Sequence, residues 1–445
     1  MTLKVIELND KAIKVGDESG ILLRSPGFVL ADGKTVLLGE EAEKQARLKP
    51  TSAFNKYWQE LSLEPFRQHE KFRHYADFAH AHLIHVAEQA QLDHDVIFAV
   101  PGSFTRQQIA ILLGLARHSP LRPVGVVDSA LAMAVATAAT AETIIHADIQ
   151  LHQVVLTRLR RKGDLLQSDS VIQVPGVGSQ HFMDLMMKLA TGLFIQQSRF
   201  NPQHNAESEQ QLYNALPGWL AQDEKEGNLI LELSSGGSLY TAKWPRQSLV
   251  SSLGGHYRRI ALQLAALAAA DPAQLLLSEE LAALPGLQAT LADYPNLLVV
   301  DSQSGLAGCL ERSDLIISGE EAVHRVTALP LAPAAPARAE SAPLPTHALF
   351  RDHAFALPGL EIRNQESLNG HSDAAAGLVL AIAGLPDRLG RIEKADDGLY
   401  YFQGEAAHFF VNDEQCQNRQ ALALGDRLRF PGSEESIRLI RVSDE

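Results

Sequence analysis

Two histidine groupings are where metal chemistry would first be sought. His74, His80, His82 and His85 fall within HYADFAHAHLIHVAEQA. His82 and His85 are three residues apart, so one face of a helix would carry both imidazoles, a ligand type that zinc favours. No cysteine lies near them and the other histidines of the 17 are spread along the chain, so packing or surface roles are the simpler expectation. His146, Asp148 and His152 form a second grouping around a turn, with the same two readings. No GxSxG, HExxH, P-loop or CxxC pattern occurs, so serine-hydrolase, metalloprotease, P-loop and dithiol chemistry are not expected. The sequence therefore predicts no catalytic residue and no metal site.

The elements that would position any site are clearer. VIFAVPGSFTRQQIAILLGLARHSPLRPVGVVDSALAMAVA (96–136) reads as strand, turn, helix, strand, helix. VIFAVPG is an apolar run closed by Pro-Gly. Ser103 or Thr105 is placed to cap the next helix, with Gln107 and Gln108 in its first turn. VGVVD is a second buried strand, and Asp128 or Ser129 caps an Ala-rich helix. Residues 2–7 and 12–15 read as a hairpin with Asn9-Asp10 in its turn. TIIHADIQLHQVVLTRLRRKGDLL reads as a second pair of strands around a turn. VIQVPGVGSQHFMDLMMKL follows as strand, turn and helix. LILEL and SLYTAKW alternate across Gly236-Gly237, and a long helix runs from Pro245 to about Ala270.

Composition bounds the function classes. With 445 residues there is room for two to four domains. Lys plus Arg is 39 against 53 Asp plus Glu, a net charge of −14, which argues against a dominant nucleic-acid surface. Cys309 and Cys416 fit neither a disulfide framework nor a zinc site, and a reducing compartment is expected. MTLKVIELND reads as a strand rather than a signal peptide, and no apolar run has the length of a membrane span. A cytoplasmic protein is expected. LPLAPAAPARAESAPLP (329–345) is a Pro/Ala linker. The expected division is 1–141, 142–325, a linker at 326–345 and a strand-rich module at 346–445.

The order of elements over residues 1–320 resembles the actin-like ATPase superfamily, and within it the DnaK-type heat-shock chaperones. Asp128-Ser129-Ala130-Leu131-Ala132-Met133-Ala134 stands where that family begins its NEPTAAAL helix. Leu38-Gly39-Glu40-Glu41-Ala42-Glu43-Lys44-Gln45-Ala46 is similar to its LVG-x-x-A-x-x-Q segment. Gly176, Gly178 and Phe182-Met183-Asp184 hold part of its GDxxLGGxxFD spacing. The resemblance implies an α/β fold, a duplicated ribonuclease-H-like two-lobed body, with lobes at 1–141 and 142–325.

It also implies three nucleotide loops, each needing glycine where the backbone approaches phosphate. The first, of type DxGTxxS, matches Glu7-Leu8-Asn9-Asp10-Lys11-Ala12. A carboxylate survives at Glu7, without the glycine and threonine. Lys11 has the reach for a phosphate, but a lysine at a hairpin turn is ordinarily a solvated charge. The second, of type DxGGGT, matches Asp148-Ile149-Gln150-Leu151-His152-Gln153, keeping only the aspartate. The third, of type VGGSxRxP, matches 277–285, where the glycines are Ser278 and Glu279 or their neighbours. The expectation is a pseudo-ATPase without a cofactor, serving as a scaffold or adaptor for other proteins, in an oligomeric state the sequence leaves open. The alternative is a divergent chaperone-like or polymerising ATPase with Glu7 and Asp148 around Mg-ATP.

Residues 346–445 offer short strands at HALFRD, HAFALP, LEIRN, LVLAIAG, RIEKADDG, LYYFQG, AHFFVND, ALALGDRLRF and SIRLIRVS, suggesting a β-sandwich. Val411-Asn412, Leu424-Gly425-Asp426 and Pro431-Gly432 are similar to the closing pattern of forkhead-associated domains. That resemblance implies phosphothreonine capture by an arginine and an asparagine, here Arg363 and Asn412. The glycine before the arginine, the Ser-x-x-His pair and the glycine after the asparagine are missing. A protein-binding module is expected, with a phosphopeptide reader as the alternative.

Overall fold

The computed structural model describes residues 3–331 and 345–442, apart from breaks at 34, 66–71, 93–94, 138, 140, 223–226, 269–271, 293, 295, 319–322, 352, 358, 365–377, 383, 396–399, 405–408, 413, 417 and 434. The chain is mixed α/β and forms two compact units, 1–334 and 335–445.

The larger unit is built on two six-stranded sheets that share one five-strand pattern. In the first, Lys4–Glu7 pairs antiparallel with Ile13–Asp17, which pairs antiparallel with Gly20–Ser25. On its other edge Lys4–Glu7 runs parallel to Asp95–Val100, then Arg122–Asp128, then Arg325–Val326. In the second, Thr143–Ile149, Gln153–Lys162 and Leu165–Pro175 form the antiparallel meander. Thr143–Ile149 then runs parallel to Ala273–Ser278, which runs parallel to Leu297–Val300. Ala328–Pro330 closes the far edge against Leu165–Pro175. Strand pairing thus runs past residue 325, into the stretch read as linker; residues 332–344 lie outside the described residues.

The local rules explain these elements. Asp95–Val100 is apolar because helices cover both faces of a parallel strand. Thr105 caps Arg106–Arg117 in a box with Gln108, and Asp128 caps Ser129–Ala136 through the Ala130 amide. Ile6, Phe78, Phe98 and Leu112 fill the core of the first half; Leu156, Phe182, Tyr257 and Ile260 fill that of the second. A third core joins the two sheets through Val5, Ile97, Leu131, Ile144 and Leu276. Gly308 lets helix Ser304–Glu311 meet helix Ser129–Ala136, since a Cβ there would fall 2.0 Å from the Ala132 oxygen.

The smaller unit is strand-rich. One sheet orders His353–Ala356, His347–Phe350, Ile437–Ile440, Arg427–Arg429, Phe409–Val411 and Glu414–Cys416; the other orders Leu378–Leu380, Leu360–Asn364, Arg388–Lys394, Tyr400–Gly404 and Arg419–Leu422. Their inner residues share one core, with Phe402 and Phe409 edge-to-face at 4.7 Å. ALALGDRLRF, expected as one strand, is two strands on different sheets, because Gly425 adopts φ 96° in the turn between them. The turn expected at Asp396-Asp397-Gly398 lies outside the described residues.

Candidate functional site

The most concentrated polar chemistry lies where the turn after Lys4–Glu7 meets the turn after Thr143–Ile149. Asn9 and Asp10 occupy the first turn, as expected from the tendency of Asx side chains to bond backbone two residues on. The Asn9 Oδ1 accepts from the Lys11 amide at 2.9 Å. Its Nδ2 crosses to the second turn, donating to Asp148 Oδ2 at 2.8 Å and to the Ile149 carbonyl at 3.0 Å. Asp10 Oδ1 accepts from the Leu151 amide at 2.8 Å. Asn9, Asp10, Asp148, Gln150 and Gln153 are all buried. The two turns are interlocked by their own side chains. Burial pushes the Asp10 carboxyl up to about 7, against the pull of the Leu151 amide.

Helix Ser179–Ser198 is seated on the same turn. The Ser179 and Gln180 amides donate to the Gln150 and Leu151 carbonyls at 2.9 Å each. Gly178 permits this approach: a Cβ there would lie 2.3 Å from the Gln153 nitrogen.

Glu7 belongs to an adjoining buried ion cluster. Lys14, 2% exposed, lies 3.4 Å from Glu7 Oε1, 3.1 Å from Glu280 Oε1 and 3.3 Å from the Ser302 carbonyl. Arg24 adds a second cation 3.5 Å from Glu280. Burial raises Glu7 to about 7 despite Lys14 beside it. Burial alone would lower Lys14, but the carboxylates of Glu7 and Glu280 outweigh it and raise the ammonium's affinity for its proton. Glu7 Oε2 is buried without a hydrogen-bond partner and faces Gly305. The two carboxylates singled out in the sequence, Glu7 and Asp148, thus come together in one buried region, Asp148 held by Asn9 and Glu7 by Lys14.

Two cavities flank the interlock. One, of about 240 Å³, is lined by Asp10, Trp58, Gln108, Gln150 and Gln153 among others. Its glutamines are chained, Gln59 to Gln153 at 3.2 Å and Gln153 to Gln150 at 2.8 Å. The other is a cleft of about 610 Å³ lined by Lys11, Glu43, Leu151, Met183, Tyr213 and Leu284 among others. Tyr213 donates to Glu43 Oε1 at 2.7 Å and accepts from Gln180 at 2.8 Å. Lys11 is half-buried rather than solvated, and burial lowers its affinity for a proton.

Of the histidines grouped in the sequence, His80, His82 and His152 hydrogen-bond within the fold, whereas the Nε2 of His146 is buried without a partner. His82 is fully buried; its Nδ1 accepts from Tyr57 at 2.7 Å and Trp58 at 3.1 Å, so Nε2 carries the proton toward Ser25 at 2.8 Å. Burial pushes it down to about 3, keeping it neutral. His74 caps the helix Tyr75–Gln89, and His80 bonds the His118 carbonyl. His152 bonds Asn55, and His146 is buried in its strand. Among the described residues no group of three His, Cys, Asp or Glu is arranged to hold a metal ion.

In the smaller unit Arg363 lies on strand Leu360–Asn364 and Asn412 in the turn after Phe409–Val411, a strand of the other sheet. Arg363 forks onto Glu361 Oε2 at 2.6 and 3.1 Å, and Arg388 takes the other oxygen at 3.0 Å. Asn412, at φ 51°, donates to Asp426 at 2.7 Å and accepts from the Arg427 amide at 3.0 Å. Both side chains have partners within the unit.

Sequence reasoning passed over Asn9, Lys14 and Tyr213. In the sequence Asn9 is only a turn residue. Lys14 alternates with Ile13 and Val15 as an outward polar residue would. Helix Ala206–Leu220, which supplies Tyr213, was not expected, and Pro217 within it masks the helical pattern. No family model matches the chain, and no curated protein matches it. No helix among the described residues is long and apolar enough to cross a membrane.

Proposed function

We propose that the larger unit is a degenerate actin-like, DnaK-like body with ribonuclease-H-like halves, a pseudo-ATPase that serves as a protein-binding scaffold. The observation that carries this reading is the interlock. A phosphate held between two hairpin turns needs free backbone amides and space. Here the Leu151 amide is taken by Asp10, and the Asn9 amide group lies between the turns on Asp148. Lys14 already lies between Glu7 and Glu280, so a divalent cation would meet a resident ammonium. Two sheets that share an antiparallel three-strand meander flanked by two parallel strands fit such a duplicated body.

The function left to such a body is to hold a shape and present surfaces, with the strand-rich unit as a second protein-binding module. Both side chains expected to hold phosphothreonine are engaged within the unit, which favours binding that does not require phosphate. Thermal unfolding of the full chain with millimolar Mg-ATP and Mg-ADP tests the reading. The expected midpoint is unchanged. A rise that Asp148→Ala abolishes would replace the scaffold with a divergent nucleotide-binding protein.

A further inference from the structure

Beside the interlock, the cleft of about 610 Å³ is open where the turns are closed. Its size lies within the range of small-molecule sites. Leu151, Met183, Met186, Pro217 and Leu284 give it apolar walls, and the two methionines suit a body of variable shape.

The charged residues of its lining are nearly all accounted for. Glu280 is paired with Lys14 and Arg24. Glu40 and Lys44 pair with each other at the exposed rim. Glu43 accepts from Tyr213, and burial pushes its carboxyl toward the neutral form. Lys11 is the exception: among the described residues no carboxylate lies within salt-bridge distance of it. Glu280, Asp148 and Glu43 attract its ammonium only from beyond that distance; a half-buried ammonium without a direct partner is costly, and a bound anion would relieve that cost. One unpaired cation calls for one charge, and the apolar walls call for a hydrocarbon body.

We propose that this cleft binds a single-headed anionic amphiphile, a carboxylate on an apolar tail, with the head against Lys11 and the tail between Met183, Met186 and Leu284. A polyanion fits poorly, because Glu43 and Glu280 also face the space and only one cation is unpaired. The inference takes the cleft to be free of nucleotide, as in the reading above.

The test is calorimetric titration of the full chain with decanoate and with decanol, which share a tail and differ in the head. Decanoate is expected to bind about tenfold or more tightly than decanol. Lys11→Met should erase that preference while leaving decanol binding intact. Met183→Asp should remove both, because the tail of either probe would have to desolvate a carboxylate on the wall. Equal binding of the two probes, a preference that survives Lys11→Met, or no binding of either would overturn the proposal. An excess of Mg-ATP should not displace decanoate. Displacement would count against the pseudo-ATPase reading alone, whereas absent decanoate binding with silent nucleotide would count against this one alone.

Discussion

Asn9, Asp10 and Lys11 are consecutive residues of one turn, and the protein treats them in opposite ways. Asn9 and Asp10 are spent on the neighbouring turn and vanish into a satisfied, buried contact. Lys11 lines the open cleft beside them without a carboxylate in salt-bridge distance among the described residues. Polar groups that satisfy one another close a site, because nothing is left for a ligand to replace. A polar group left over keeps a site open. On this comparison the interlock contributes to stability and the cleft to binding, so substitutions on the two sides should separate those properties.

All three tryptophans, Trp58, Trp219 and Trp244, lie in the larger unit, so their fluorescence during urea unfolding reports that unit alone. The largest expected effect is from Lys14→Met, which strands Glu7 and leaves Glu280 with Arg24 alone. A loss of about 3–5 kcal/mol is expected, and adding Glu7→Gln should recover part of it. A change under about 1 kcal/mol would mean the cluster is solvated. Next comes Asn9→Ala, which removes two buried hydrogen bonds to the second turn and should cost about 1–3 kcal/mol.

The third prediction is a pH dependence. Burial lifts Asp10 to about 7 in the folded protein, against about 4 in an unfolded chain. The folded state therefore holds the proton more tightly. The stability this contributes is present below pH 4 and is lost as pH rises through 7. Asp10→Asn keeps an Oδ1 acceptor for Leu151 without a charge to ionise. Its advantage over the natural protein should grow between pH 4 and 7 by about 3 kcal/mol, and a flat difference would show that Asp10 is not desolvated. The smallest effect belongs to Lys11→Met, which should leave stability within about 0.5 kcal/mol or raise it slightly. A clear loss there would erase the distinction between the two sides of the turn.

Much of the framework was legible from local rules. Alternation and apolar runs marked the two hairpins and the parallel strands, and capping residues marked the helices at Thr105 and Asp128. Glu7 and Asp148 are picked out by the resemblance of their hairpins to nucleotide loops, and both are buried, Glu7 on Lys14 and Asp148 on Asn9. The partners were not legible, because they come from distant segments. Lys14 looks solvent-facing in IKVGD, yet the face it occupies is covered by Glu280 and Ser302, more than 260 residues away. Asn9 looks like a turn former until Asp148 is 2.8 Å from it. Lys11 looked solvated because helix Ala206–Leu220, which walls its cleft, was not foreseen. Local pattern gives an element its type; which faces are covered depends on contacts that no window of sequence contains.

On the proposed pseudo-ATPase reading, Asn9 and Asp10 fill the space between the turns that a nucleotide's phosphates would need. Titration calorimetry of the full chain with Mg-ATP addresses it directly. No heat of binding is predicted up to millimolar nucleotide. Micromolar binding abolished by Asp148→Ala would contradict the account and require the two turns to separate.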